Sequence, residues 1–274
     1  MTEQQTFGGI WTIKKLDAVE NYLRYYSTVM KNQSFKLCYI DAFSGSGNVT
    51  LKGGKVVDGS ALRALKFPFD SYFFFEKKEK HFNALSARIK TGFPHKQDRV
   101  EVIKGDCNEF LRNIDKTPWL KGKWRGVVFL DPCAMDLDWS CLEKISRTEI
   151  FDVWYLFPFS AVTRNLPRSG SIKPANERKL TKVLGTSDWK QYLYEESMQQ
   201  SLFDESELIK VPDGLKQFIL RRLRETFPTV AQNPASLRNE KNSSLFLLCF
   251  TGSNPSEKAQ ARALAGANHI LKHI

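Results

Sequence analysis

The sequence predicts an α/β fold: a mostly parallel sheet with helices on both faces. Three observations carry that expectation. Short apolar runs of strand length recur along the first 160 residues. Stretches of helical periodicity lie between them, as parallel β-α units with right-handed crossovers require. Four of the runs lead into an acidic residue, Asp41, Glu76, Asp106 and Asp131.

The elements follow in order. Residues 12–31 place Leu16, Val19, Leu23, Tyr26 and Met30 at three- and four-residue steps, one apolar stripe of a helix. FKLCYIDAF has the length of a buried strand and runs into a glycine-bearing turn. Further strands are expected at 71–76, 99–103, 126–131 and 151–157, and helices at 59–66, 77–91, 107–115 and 138–148. Residues 164–182 read as a mobile basic loop, followed by helical patterns near 176–200 and 213–226. In the last of these Leu215, Phe218, Ile219 and Leu223 form the inward stripe. A late strand at 243–251 and a helix at 255–272 close the chain as given. The interval from 160 to 235 is too long for a simple connection and reads as an insertion. Three parts result: a core at 1–160, a basic helical insertion or cap at 161–235, and 236–274 completing the core.

Composition narrows the class. The 274 residues are 42% hydrophobic and 26% charged, near the globular average. No apolar run approaches the ~18 residues of a membrane span, and MTEQQTFGGIWTIKK has no secretory h-region. The five cysteines show no CxxC and no zinc-finger spacing. A soluble, cytoplasmic, reduced protein without a structural metal is the expectation. The net charge of +11 is spread over both halves and raises the prior for a polyanionic partner, RNA or DNA first.

In open parallel sheets ligands bind beyond the carboxyl ends of the strands. One acidic residue there is ordinarily a helix N-cap; four in succession favour a ligand site. In DAFSGSG, Gly45 and Gly47 permit positive φ and close approach of a ligand to the backbone. The turn is neither GxGxxG nor a phosphate loop, which weakens oxidoreductase and NTPase readings. Glu76 is suited to the two hydroxyls of a ribose. Asp106 and Asn108 can read an adenine edge or cap the next helix. Asp131-Pro132 sits where a reacting group belongs.

The blocks WTIKKLDAVENYLRYY, YIDAFSGSGNV, DGSALRAL, FFFEKKEKHFNAL, GDCNEFL and FLDPCAMDLDW, with FDVWYLFPF after them, resemble class I S-adenosylmethionine-dependent methyltransferases. More narrowly they resemble the three-Cys-motif partner family, over the first 160 residues. That resemblance implies a Rossmann-like, seven-stranded fold, S-adenosyl-L-methionine as cofactor, and a three-Cys-motif protein as partner. The cysteines of the family name belong to that partner. By resemblance, Asp41, Gly45 and Gly47, with neighbouring Phe43, would wrap the methionine part of the cofactor. Glu76, with neighbouring Lys77, would hold the ribose. Asp106, Cys107 and Asn108 would contact the adenine, and Asp131 and Pro132 would face the transferred methyl.

The implied function is methyl transfer to a nucleic acid or other macromolecule, with a subunit of little activity of its own as the alternative. Asp131 is the candidate proton acceptor. DPCA lacks the second proline and the aromatic of the amino-methyltransferase element. Trp139, Trp154, Tyr155 and Phe157 offer either a stacking face or core packing. Cys133 is either a thiol nucleophile or a small buried thiol. Lys14 and Lys15 either meet an anion or cofactor or lie on a solvated helix face. Arg164, Arg168 and Lys173 suit a phosphate backbone, as do Arg178, Lys179, Lys182 and the basic residues Lys216, Arg221, Arg222 and Arg224.

Overall fold

The computed structural model describes residues 9–117, 122–167, 171–196, 208–210 and 214–274. The chain opens with helix α1 (Ile10–Met30) and strand β1 (Lys36–Asp41). A hairpin of β2 (Asn48–Thr50) and β3 (Val56–Asp58) follows, then α2 (Ser60–Ala64), β4 (Ser71–Glu76) and α3 (Glu79–Gly92). Next come β5 (Val100–Lys104), α4 (Cys107–Leu111), β6 (Trp124–Leu130), α5 (Trp139–Ser146) and β7 (Phe151–Phe157). Between β7 and the closing strands lie α6 (Phe159–Arg164), α7 (Pro174–Leu184), α8 (Trp189–Leu193), the strands β8 (Tyr194–Glu196) and β9 (Leu208–Lys210), and α9 (Gly214–Thr226). The chain then runs through β10 (Thr229–Val230), β11 (Ala235–Arg238), β12 (Ser244–Gly252) and α10 (Glu257–Lys272).

The main sheet is ordered β10-β12-β7-β6-β1-β4-β5, with β11 also paired to β12. Strands β7, β6, β1, β4 and β5 are parallel, and β12 is antiparallel to β7. The expected seven strands become eight. Both β10 and β11 pair antiparallel with β12, at Thr251–Gly252 and at Ser244–Leu248. They share one edge of β12, as a strand interrupted at Gln232-Asn233-Pro234. Proline has no N–H for the ladder and is confined to such breaks and edges.

Alternation along the strands sorts the core into two layers. Cys38, Ile40, Val128, Leu130, Phe151 and Val153 face α4, α5, α7 and α9. Tyr39, Phe74, Val127, Phe129 and Trp154 face α1, α2, α3 and α10. The period of two then carries Asp41, Glu76 and Asp131 to the α1 side of the sheet.

Two expectations about the insertion need correction. Residues 174–182 are not loop but most of helix α7, which Pro174 starts and Leu180, Val183 and Leu184 bury. Proline at the first helical position is a start signal, because its fixed φ suits the helix and its missing N–H is not needed there. The helix expected to reach residue 200 ends at Gly185, and after short α8 the chain turns to strand. The β2–β3 hairpin was not expected; Gly53-Gly54 between Val49 and Val56 was its signal. Among the described residues no helix is long and apolar enough to cross a membrane.

Helix α1 is tied across the sheet. The Tyr22 hydroxyl donates to Asp152 at the start of β7, at 2.7 Å. Arg63 of α2 reaches Asp17 at 2.6 Å and Glu20 at 2.8 Å. Desolvation pushes the Asp152 carboxyl up to about 6, and the Tyr22 hydrogen bond opposes that rise. A raised carboxyl favours the neutral form in the fold. Its contribution is therefore full below the unfolded value of 3.8 and is lost as pH rises through about 6. Tyr22→Phe removes a donor to the charged form. Chemical denaturation at pH 8 is expected to show a loss of about 1–2 kcal/mol that narrows by pH 5, where Asp152 is neutral in both proteins.

Candidate functional site

The carboxyl ends of β6, β1, β4 and β5 lie side by side, and the crevice outside them is where open parallel sheets bind ligands. Asp41 ends β1, between β4 and β6, and is 0% exposed. Its Oδ1 accepts the Phe43 amide at 3.2 Å, while Oδ2 is buried without a hydrogen-bond partner. Burial pushes this carboxyl up to about 7; Ser60, the Phe43 amide and Lys15 favour its charge, and Asp131 opposes it. Gly45 and Gly47 have φ of 61° and 87°. A Cβ at Gly45 would meet nothing within 4 Å, so open space lies over the turn.

Lys15 is the site's unexpected feature. It does not lie on a solvated face. The residue is 8% exposed, and its ammonium donates to the Asp131 carboxylate. The Trp11 ring centroid lies 5.2 Å from the same ammonium. One turn before Lys15, the Thr12 hydroxyl is buried with no hydrogen-bond partner. A three-residue step on one helix face was a signal that could have found Thr12. Lys14 is exposed and donates to the Ile274 carbonyl at 2.5 Å.

The remaining positions divide. Glu76 Oε1 accepts the Lys78 amide at 2.6 Å, with His81 Nδ1 at 3.9 Å. Lys77 is exposed and lies 3.3 Å from Asp106. Asp106 is the N-cap of α4: Oδ1 accepts the Asn108 amide at 3.0 Å and its side-chain nitrogen at 2.8 Å. Desolvation works against that carboxylate, but the two Asn108 donors and Lys77 together hold it below the usual range. Asn108 also donates to Asp136 O at 2.7 Å and accepts from the Asp138 amide at 2.9 Å. It fastens α4 to the loop after β6. Cys107 is buried, and burial pushes its thiol up.

Pro132 is buried, and Cys133 beside it is exposed, so the buried-thiol expectation is corrected. Ala134 follows at φ 59°, turning the chain so that Cys133 leaves the core. Trp139, Trp154, Tyr155 and Phe157 are all buried in the core and offer no stacking face. Phe43 is half-buried against the core.

The basic candidates are spread. Arg164 ends α6 and bonds Ser160 at 3.1 Å; Lys173 is exposed ahead of α7. Arg168 lies outside the described residues. Leu215, Phe218, Ile219 and Leu223 of α9 are buried as expected. Two of the arginines of α9 serve the fold. Arg222 reaches the Leu184 and Gly185 carbonyls at 3.2 Å and Glu225 at 2.6 Å, and Arg221 pairs with Glu225 at 2.8 Å. By contrast Lys179 of α7 acts electrostatically on Asp136 together with Lys77 and Lys78. Burial raises the Asp136 carboxyl, and these lysines oppose the rise.

No protein-family model matches the chain. No curated protein matches it either. Among solved structures it is similar to protein LPL1258 of Legionella pneumophila, of the family DUF519. The two are 13% identical over 93% of this chain and 91% of that one, with a TM-score of 0.51. A spermidine synthase bound to the transition-state analogue AdoDATO is 12% identical over 92% of this chain and 62% of its own, at a TM-score of 0.43. The methyltransferase domain of bacterial CtHen1 is 10% identical over 86% and 99%, at 0.39. The first likeness supports the α/β fold; the other two superpose less closely and stand as likenesses only.

Asp41→Asn removes a buried carboxylate whose neutral form the fold prefers. That preference costs nothing below pH 3.8 and grows as pH rises toward about 7. Thermal melts of the ligand-free variant are expected to show a gain of about 1–4 kcal/mol at pH 8, vanishing near pH 4.

Proposed function

We propose that this chain is an S-adenosyl-L-methionine-dependent methyltransferase that acts on a nucleic acid, with a three-Cys-motif protein as its partner. The observation that carries the cofactor reading is the Asp41 carboxylate. It is buried at the end of a central strand with one oxygen unpartnered, and the turn that follows has open space at Gly45. Such a group calls for a cationic, hydrogen-bonding ligand. S-adenosylmethionine fits that chemistry through its ammonium and sulfonium, and when bound it supplies an electrophilic methyl.

The chain's residues then take roles. Asp41 binds the ammonium of the methionine part. Glu76 holds the ribose with its side chain already oriented by the Lys78 amide. Asp106 and Asn108 shape the adenine end mainly by fixing the α4 turn. Asp131, at the end of β6, accepts a hydrogen bond from the acceptor and orients it. Pro132 closes the floor behind it. The nucleic-acid reading is supported by Lys77, Lys78 and Lys179, which act together on Asp136, and by the net charge of +11.

Calorimetry tests the cofactor reading. Wild type should bind S-adenosylmethionine and S-adenosylhomocysteine, and Asp41→Ala and Glu76→Ala should each weaken both by at least about tenfold, which is ~1.4 kcal/mol. Wild-type binding to neither would overturn it. A second assay follows radiolabelled methyl transfer to pooled tRNA and DNA. Asp131→Ala should lose transfer by about 100-fold or more while still binding cofactor, and Lys179→Glu should raise KM with kcat little changed.

A further inference from the structure

Lys15 is a buried cation on a helix face that is otherwise largely apolar. Around it Leu16, Val19, Tyr22 and Leu23 pack into the core. Its helix is held from two directions, by Tyr22 on Asp152 and by Arg63 on Asp17 and Glu20. Lys15 therefore reaches Asp131 from a fixed base, with the Trp11 ring beneath its ammonium. The crevice holds two carboxylates, Asp41 and Asp131, and Asp41 senses the charges of both Asp131 and Lys15. A ligand bound to the unpartnered Asp41 oxygen lies in that same field.

We propose that Lys15 is a positioning residue: it pins Asp131 at the crevice and cancels its charge. In doing so it limits the site's preference for a sulfonium ligand over the neutral thioether. This rests on the cofactor reading above. Methyl transfer disperses positive charge away from sulfur. An uncompensated carboxylate would hold the charged sulfonium in preference to the neutral thioether, and the Lys15 ammonium offsets that attraction. Paired with Lys15, Asp131 keeps an oxygen for orienting the acceptor without adding that ground-state attraction.

The test is calorimetric titration of the whole chain with S-adenosylmethionine and, separately, S-adenosylhomocysteine. The readout is the ratio of the two affinities, which a merely structural role for Lys15 would not move. Lys15→Met should raise the preference for the sulfonium about tenfold, and Lys15→Arg should keep the wild-type ratio. Asp131→Asn, which leaves Lys15 uncompensated, should lower the ratio about tenfold, and the double variant Lys15→Met/Asp131→Asn should return to the wild-type ratio. If Lys15→Met does not fold, Asp131→Asn still decides by its opposite sign. Wild type binding both ligands, with a ratio unmoved by the foldable variants, would overturn the proposal and leave the cofactor reading standing. Wild type binding neither would remove the cofactor reading, and this proposal with it.

Discussion

A carboxylate buried at the end of the central strand is the constraint around which this crevice is arranged. β1 lies between β4 and β6 and is covered on both faces, so Asp41 is 0% exposed in the ligand-free fold. Its surroundings satisfy it in part: Oδ1 takes the Phe43 amide and Ser60 favours its charge, while Oδ2 has no hydrogen bond of good geometry. Desolvation then outweighs the donors and holds the group near neutrality. A fold that keeps such a group is less stable for it above pH 3.8, where the unfolded carboxyl ionises freely.

Helix α1 converts a common sheet into this particular site. It packs against the face on which Asp41, Glu76 and Asp131 emerge, and its N-terminal turns reach the strand ends. Lys15 is the cation it delivers. The tie between Tyr22 and Asp152 lies two turns further along the helix, at the start of β7. The same helix thus spans the sheet from the beginning of one strand to the end of another. Displacing it would expose two carboxylates together.

The basic character of the chain has two separate uses. In α9 the guanidinium groups of Arg221 and Arg222 bind Glu225, helix-end carbonyls and the faces of Tyr192 and Trp139. These cations hold α7, α9 and α5 together. In α7 and the turn after β4, Lys179, Lys77 and Lys78 instead favour the charge of Asp136, in the loop after β6. Net charge alone could not separate the two, because Arg222 and Lys179 count equally in the total.

The parallel core was legible in the sequence because strand burial and helix amphipathicity are local periodicities: FKLCYID, SYFFFE and FDVWYLF each state their length and their faces. The acidic strand ends were legible for the same reason, since an apolar run that stops at Asp or Glu marks where the sheet meets its crevice. The α7 start, the split edge of β12 and the β2–β3 hairpin were harder, because proline and glycine both end and begin elements. What the sequence by itself determined was the order of strands and helices and the acidic crevice at their ends. Only the tertiary structure decided which carboxylate is capped, which is paired and which stands alone. Asp106 is satisfied by its own turn, Asp131 by a lysine 116 residues away, and Asp41 by half. Charge pairing depends on distance in space, and spacing along the chain does not encode it.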